Sequence, residues 1–227
     1  MIGAIFNPPD HIDNYYVARR NLFIHRMATN GAWDTAVTGT GAVTQDAGRI
    51  LLITGTTDNS TAIAYDVPHG CAPGGVSGRL DFRNRFIWTF SFTASGGSNA
   101  NFRRYIQLKE ANTAGDLGAI GLGLKLANLT LTGESYATAR SDVALMTISA
   151  SSTYYTVTID HFPGVKVDFY INGTLKGSIT TAANVPNALT SADCYMFLAT
   201  ANGAHDPDVS ATLALAGPEI AMRYASI

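Results

Sequence analysis

The stretch 154–180, YYTVTIDHFPGVKVDFYINGTLKGSIT, decides the fold class of this chain. Apolar and polar residues alternate from Tyr155 to Asp160, and the alternation restarts after the Pro-Gly pair at 163–164 and runs to Ile171. A period of two places every second side chain on the same face, which is typical of strands with one buried face. The stretch therefore predicts consecutive β-strands.

The Asn-Gly pair at 172–173 predicts a hairpin turn, because both residues tolerate positive φ. A two-residue loop would place Ile171 opposite Thr174 and would turn Leu175 and Ile179 away from the core face. A three-residue loop would instead place Ile171 opposite Leu175. We therefore expect either a three-residue loop or a β-bulge beside the turn.

The composition of the 227-residue chain also favours strands. Hydrophobic residues make up 46% and can supply a sizeable core, whereas charged residues make up only 14%. Glu, which favours helices, occurs only at Glu110, Glu134 and Glu219. A net charge of −2 without a basic run indicates no nucleic-acid partner. No stretch reaches the ~18 apolar residues of a membrane helix, which indicates no membrane partner.

Further alternating runs continue along residues 21–227, and about a dozen strands without a convincing helix predict one antiparallel two-sheet β-sandwich domain. The run 49–54 and the run 61–67 predict a hairpin, because turn-forming residues separate them. The late apolar run 213–225 is expected beside the run 21–27 or 49–54. One continuous core is predicted from Trp88, Phe90, Phe92, Leu122, Val157, Ile159, Val167 and Phe169.

Two features of the central strands depart from simple alternation. Arg104 falls at an apolar position, so it lies either at the mouth of its strand, which we favour, or beside a carboxylate. Gly121 and Gly123 face away from the core, where they would let a loop or ligand approach the backbone.

Residues 1–20 predict an N-terminal arm. The segment is apolar without periodicity, and a freely solvated tail would be rich in charge. It lacks the features of a signal peptide, so we expect the chain to be made in the cytoplasm. The arm should pack along the domain or reach a partner through Ile5, Phe6, Tyr15 and Tyr16. Elsewhere, Cys71 and Cys194 are expected to be buried free thiols, with a disulfide between them as the less favoured alternative.

The order of the pieces GRILLIT (48–54), RYIQL (104–108), AIGLGLKL (119–126) and VDFYINGTL (167–175) resembles the concanavalin A-like lectin/glucanase jelly roll. More narrowly, it resembles the form carried by tailed-bacteriophage virion proteins. The resemblance covers about residues 21–227 and implies the fold more strongly than the function.

The resemblance implies two functions. The first is a non-enzymatic virion structural protein, namely a capsid-decorating, head-fibre or tail-associated module in contact with other virion proteins and further copies of the chain. The alternative is a lectin-like module that binds host-surface glycans through aromatic and amide side chains. Neither function requires a cofactor.

No catalytic residue is predicted. The glycosidase branch of this fold has an E-x-D-x-E strand, because retaining hydrolysis needs two carboxyl groups on one face, and the three Glu residues here are isolated. Asp160 and Asp168 could pair across the turn at 163–164, but they are interpreted as two solvated, outward-facing carboxylates beside Lys166. The five His residues are scattered singly and form no triad.

His205, Asp206 and Asp208 form the candidate metal site, because one loop offers an imidazole and the oxygen ligands that calcium takes. The same residues are also ordinary turn formers, whose side chains bond to nearby backbone amides. We favour the turn, keep calcium as the alternative, and expect stability to depend little on a metal.

Overall fold

The protein is described by a computed structural model. The described residues are 22–26, 33–46, 49–55, 59–66, 80–95, 102–111, 113–127, 129–148, 153–191, 193–201 and 212–224. In 22–26 and 212–224 the description covers the backbone alone.

Within these ranges the chain forms fifteen strands and one short 3-10 helix, Ala182–Asn184. None of the described helices has the length and apolar character to cross a membrane. The strands are β1 (Leu22–Arg26), β2 (Asp34–Thr38), β3 (Ala42–Asp46), β4 (Arg49–Ile53), β5 (Thr61–Asp66), β6 (Phe86–Ser95), β7 (Arg103–Lys109), β8 (Gly121–Ala127), β9 (Thr130–Tyr136), β10 (Arg140–Thr147), β11 (Tyr155–Phe162), β12 (Lys166–Ile171), β13 (Thr174–Ile179), β14 (Tyr195–Ala201) and β15 (Thr212–Tyr224).

The strands form two antiparallel sheets. The eight-stranded sheet has the order β13-β12-β11-β6-β15-β4-β3, with β1 also paired to β15. The seven-stranded sheet has the order β10-β9-β8-β7-β14-β5-β2. Apolar side chains from both sheets pack into one core, so the chain is an all-β two-sheet sandwich, as its sequence predicts.

The core prediction is confirmed. The aromatic residues of β6 alternate inward, and the tilted rings of Trp88 and Phe90 pack with centroids 4.5 Å apart. Since each aromatic side chain buries a large apolar area, this strand contributes strongly to the centre of the sandwich. All eight predicted residues belong to the one buried cluster, namely Trp88, Phe90, Phe92, Leu122, Val157, Ile159, Val167 and Phe169.

The hairpin between β12 and β13 uses a bulge. Ile171 lies opposite Thr174, so the loop has two residues, and Asn172 and Gly173 both have positive φ, at 50° and 77°. A three-residue loop is therefore wrong. After the pair Tyr170–Leu175 the register shifts by one residue, because Phe169 lies opposite Gly177. This bulge returns Ile179 to the buried face, while Leu175 stays 50% exposed.

The predicted hairpin of 49–54 with 61–67 is wrong, because β4 and β5 lie in different sheets. β4 pairs with β3 and β15, whereas β5 pairs with β2 and β14. Leu52 and Ala62 are both fully buried in the shared core, so the segment between them crosses from one sheet to the other. The pairing of the late run is confirmed, since β15 lies beside both β1 and β4.

Arg104 does not reach solvent, so its placement at a strand mouth is wrong. Its side chain is 2% exposed on the core face of β7, and its guanidinium carbon lies 5.7 Å from the Phe102 ring centroid. Burial lowers the pKa of Arg104 to about 10. Arg104 and the core residue Ile106 are two positions apart on β7, so their side chains point to the same, interior face of the sheet.

Several predictions fall on residues outside the described ranges. The arm of residues 1–20 and Cys71 are among them, so the boundary at residue 21 stays a prediction. Cys194 is described, and it is a buried free thiol, as expected. Burial raises the pKa of the Cys194 thiol far above its ordinary range, which keeps it unreactive.

Candidate functional site

The outer face of the seven-stranded sheet carries an unusual set of polar side chains. Paired residues on neighbouring antiparallel strands point to the same face. On this face Phe197 of β14, Gln107 of β7, Gly123 of β8, Glu134 of β9 and Asp142 of β10 follow one another in a row. Gln107 and Glu134 are fully buried although they point away from the core.

The cover over this row is the connection from β7 to β8, residues 110–120, which we call the strap; all of it except residue 112 is described. The strap folds back over the sheet. Gln107 Nε2 donates to Gly115 O at 3.3 Å, and Lys109 Nζ donates to Thr113 O at 2.7 Å. These bonds hold the strap against the sheet and exclude water from the side chains beneath it.

The two glycines of β8 let side chains of β7 lie across the sheet. A Cβ at Gly123 would lie 2.3 Å from Ile106 O and 3.0 Å from Gln107 Cγ. With glycine there, Gln107 crosses β8 and donates from Nε2 to Glu134 Oε2 at 2.7 Å. The expectation that outward glycines allow a close approach is met by a side chain of the chain itself.

Burial under the strap shifts the acid–base behaviour of this site. Burial raises the pKa of Glu134 to about 7, and the hydrogen bond from Gln107 only partly opposes the rise. Burial lowers the pKa of Lys109 to about 8, although the nearby carboxylates of Glu134 and Asp116 oppose the fall. Each group is therefore close to changing its charge near neutral pH.

One carboxylate of the strap gathers donors from three strands. Asp116 forms ion pairs with Lys125 Nζ of β8, at 2.6 Å, and with the Arg140 guanidinium of β10. The Tyr105 hydroxyl of β7 lies 3.5 Å from Asp116 Oδ1. Burial opposes ionisation of Asp116, but the hydrogen bonds from Lys125 and Arg140 outweigh it and keep its pKa below the ordinary value.

Aromatic rings lie beside this polar cluster on the same face. Tyr65 of β5 and Tyr195 of β14 meet edge to face, with ring centroids 5.7 Å apart, and both are partly exposed. Phe197 lies beneath them, and Lys109 Nζ is 4.0 Å from its ring centroid. We call the whole set the outer-face site, namely Tyr65, Tyr105, Gln107, Lys109, Asp116, Lys125, Glu134, Arg140 and Tyr195.

On the opposite sheet, Asp160 and Asp168 do lie opposite one another, but they are not solvated. They are 9% and 3% exposed. Arg85 holds Asp160 through two bonds of 3.0 and 2.7 Å, and Asp168 accepts from Lys166 at 2.6 Å and Ser178 at 2.5 Å. Because cations occupy both carboxylates, neither is placed to act as the general acid of glycoside hydrolysis.

The predicted metal and partner residues are not described. His205, Asp206 and Asp208 lie outside the described ranges, so the calcium alternative stays a prediction. Ile5, Phe6, Tyr15 and Tyr16 of the arm also lie outside the described ranges, so partner binding by the arm stays a prediction. Among the residues that the structure describes, no group of three His, Cys, Asp or Glu side chains could hold a metal ion.

Comparison with known proteins shows the fold alone. No family model and no curated protein matches the chain. A fungal endo-β-1,4-glucuronan lyase from Trichoderma reesei has a TM-score of 0.53 and 14% identity, and the match covers 89% of this chain and 95% of the lyase. The binding domain of botulinum neurotoxin DC, solved with rat synaptotagmin II, has a TM-score of 0.51 and 13% identity over 87% of this chain and 45% of that one.

A structure of botulinum neurotoxin type C has a TM-score of 0.50 and 11% identity over 87% of this chain. The cell entry of that toxin is described as dependent upon interaction with two ganglioside molecules. The match covers 44% of that chain, so the present chain spans less than half the length of the neurotoxin structures. The chain is thus similar in fold to β-sandwiches of several known functions.

Proposed function

We propose that the chain is a lectin-like module that binds glycans at the outer-face site without catalysing a reaction on them. The observation on which this proposal depends is the partly exposed Tyr65–Tyr195 pair beside a cluster of charged and amide groups on one sheet face. A sugar ring has an apolar face of C–H groups and a rim of hydroxyls, so it needs both kinds of surface in one place.

The chemistry of the site suits that requirement. A tyrosine offers an apolar ring together with a hydroxyl that can donate or accept. Arg140 and Lys125 keep 36% and 17% of their side chains exposed, which leaves them within reach of a bound molecule. Because the β-sheet holds these residues in fixed register, their spacing is preorganised before a ligand arrives.

The structural neighbours support the same proposal. Among them are a lyase named for a polysaccharide and a neurotoxin described with gangliosides. Catalysis is not proposed, although Glu134, Lys109 and Tyr105 on this face all have strongly shifted pKa values. Glycoside hydrolysis needs two carboxyl groups that work as a pair, and the carboxylates nearest Glu134 on this face, Asp116 and Asp142, are both ion-paired with Arg140.

A glycan array followed by calorimetric titration tests the proposal. The purified chain should bind a defined set of oligosaccharides, and Tyr195→Ala should weaken binding by at least about tenfold, or ~1.4 kcal/mol. The matched control is Tyr170→Ala, since Tyr170 is also partly exposed but lies on the outer face of the other sheet.

Two results would count against this function. If no glycan binds, or if Tyr170→Ala weakens binding as much as Tyr195→Ala does, the outer face of the seven-stranded sheet is not a glycan site. If the bound oligosaccharide is recovered in shorter pieces, the chain is an enzyme and the non-catalytic part of the proposal is wrong.

A structural role in a bacteriophage virion remains a second proposal, in which the chain is located in the virion and contacts other virion proteins and its own copies. It depends on the order of the sequence pieces and on the apolar arm of residues 1–20, which lies outside the described ranges. The comparisons favour the glycan-binding function over this one.

Deleting residues 1–20 tests the virion role directly. We expect the truncated domain to keep its melting temperature, because the predicted core lies entirely within the later strands, and to lose oligomerisation or incorporation into particles. Light scattering and a particle-incorporation assay give the readout. A truncated chain that still assembles, or one that is insoluble, would argue against an assembly role for the arm.

A further inference from the structure

The most unusual feature of the outer-face site is that the protein already fills it with a carboxylate of its own. Asp116 belongs to a hairpin connection, yet it contacts donors from β7, β8 and β10. An isolated surface ion pair contributes little to stability. Three donors from three strands meeting at one carboxylate instead resemble a binding site for an anion, occupied by a group of the same chain.

The two cations are suited to hold a carboxylate. The planar guanidinium of Arg140 can form two parallel bonds to a carboxylate, and Lys125 adds a compact positive charge from the adjacent part of the sheet. The sheet fixes both positions, since Lys125 lies opposite Tyr105 and Arg140 lies opposite Tyr136 in the β-ladder. The donors therefore stay in place when the strap moves.

The floor beneath the strap offers a second, independent observation. Gln107 and Glu134 are fully buried, and in the described structure Gln107 Oε1 and Glu134 Oε1 have no hydrogen-bond partner. Buried polar atoms without a partner are rare and costly. Sugar hydroxyls are donors of the kind that these two oxygens lack, and the oxygens lie on the same face as the three donors to Asp116.

We propose that the outer-face site takes a glycan that bears a carboxylate, such as a uronic acid unit, and that Asp116 of the strap occupies the place of this carboxylate until the glycan displaces it. This inference rests on the proposed glycan-binding function and names its ligand class. In the bound state the sugar carboxylate accepts from Lys125 and Arg140, and sugar hydroxyls donate to the oxygens of Gln107 and Glu134.

Displacement of Asp116 makes the apparent affinity of the wild-type chain weaker than that of the open site. A ligand that binds only the open form is weakened in proportion to the fraction of molecules in that form. Removing the Asp116 carboxylate should raise this fraction, so the Asp116→Ala variant should bind a carboxylated glycan more tightly than the wild type does.

The experiment compares two oligosaccharide probes that share the β-1,4 linkage, one of glucuronic acid and one of glucose. Calorimetric titrations of Asp116→Ala should show binding of the glucuronic acid oligomer at least about tenfold tighter than the wild type, with no gain for the glucose oligomer. Lys125→Gln added to Asp116→Ala should remove the gain.

The matched control is Asp142→Ala. Asp142 also pairs with Arg140, at 3.2 Å, and its side chain is 34% exposed against 36% for Asp116, so both variants remove the same charge from the same cation. Equal gains for the two variants would indicate nonspecific attraction of an anion and would overturn the inference. Asp116→Asn serves as the second variant if Asp116→Ala does not fold.

The outcomes separate this inference from the function on which it depends. If the wild type binds the glucose oligomer through Tyr195 and Asp116→Ala gains nothing toward glucuronic acid, the module binds glycans but not carboxylated ones. If neither oligomer nor any array glycan binds to any variant, both the glycan-binding function and the ligand class are wrong.

Discussion

We expect Phe169→Ala to lower the free energy of unfolding by ~3–5 kcal/mol, the range for removing a buried aromatic ring. Phe169 is fully buried on β12, and a Cβ built on Gly133 of β9 would lie 2.7 Å from its ring. The ring therefore spans the space between the two sheets and packs directly on the backbone of the facing one. Its removal opens a cavity that the rigid strands on either side cannot fill.

Urea unfolding monitored by circular dichroism measures this effect, and Leu175→Ala is the matched control. Leu175 lies on the same hairpin, but it is 50% exposed, so its removal should change the free energy of unfolding by less than about 0.5 kcal/mol. A Phe169→Ala protein as stable as the control would mean that the ring does not fill the core between the sheets.

The strand faces were predictable because alternation is a local property of the sequence. In β11 and β12 the polar and apolar positions report which side each residue faces, and the structure places Val157, Ile159 and Phe169 in the core as expected. The turn was predictable for the same reason, since Asn172 and Gly173 both adopt positive φ. Parity also indicated that either the loop or the ladder had to be irregular, and the irregularity is a bulge in β13.

Strand pairing was harder to predict, because it depends on contacts distant in sequence. The runs that became β4 and β5 look like a hairpin, since local composition marks a turn between them without indicating whether the chain stays in one sheet. Leu52 and Ala62 bury their side chains in the same core from opposite sheets. Arg104 was misplaced because the prediction gave more weight to the cost of burying a charge than to the alternation of the strand, which puts Arg104 on the core face.

The outer-face site was only partly visible in the sequence. Gly121 and Gly123 indicated a close approach over β8, and the approach is made by Gln107. Glu134 looked isolated, because its partner lies 27 positions away in sequence and two strands away in the sheet. Nothing in the composition of residues 110–120 indicates that this connection folds back over the sheet and buries polar side chains.

The second large effect concerns Glu134, whose replacement by Gln should change how stability depends on pH. Burial raises the pKa of Glu134 from 4.5 to about 7. Between these pH values the folded state holds a proton that the unfolded state has released, so the free energy of unfolding falls as the pH rises. The raised pKa of Glu134 thus contributes ~3 kcal/mol to the free energy of unfolding. This contribution is fully present below pH 4.5 and is lost as the pH rises through about 7.

Other titrations in this range must be separated from that of Glu134. Burial lowers the pKa of His161 from 6.5 to about 4, so its folded form binds fewer protons and its effect on stability has the opposite sign. The wild-type curve alone therefore shows a partial cancellation. Lys109 has a pKa of about 8 and titrates mainly above this interval.

The difference between the two proteins removes the titration of His161, which is present in both, and leaves that of Glu134 together with its coulombic effect on Lys109. Gln at position 134 has nearly the same shape as Glu, and its amide oxygen can still accept from Gln107 Nε2, but it carries no titrating proton. Urea unfolding at several pH values gives the free energy of unfolding of each protein. Between about pH 4.5 and pH 7.5, the value for Glu134→Gln should rise by ~3 kcal/mol relative to that of the wild type. A difference that stays constant over this range would mean that Glu134 titrates alike in the folded and unfolded chains, and that the strap does not seal it from water.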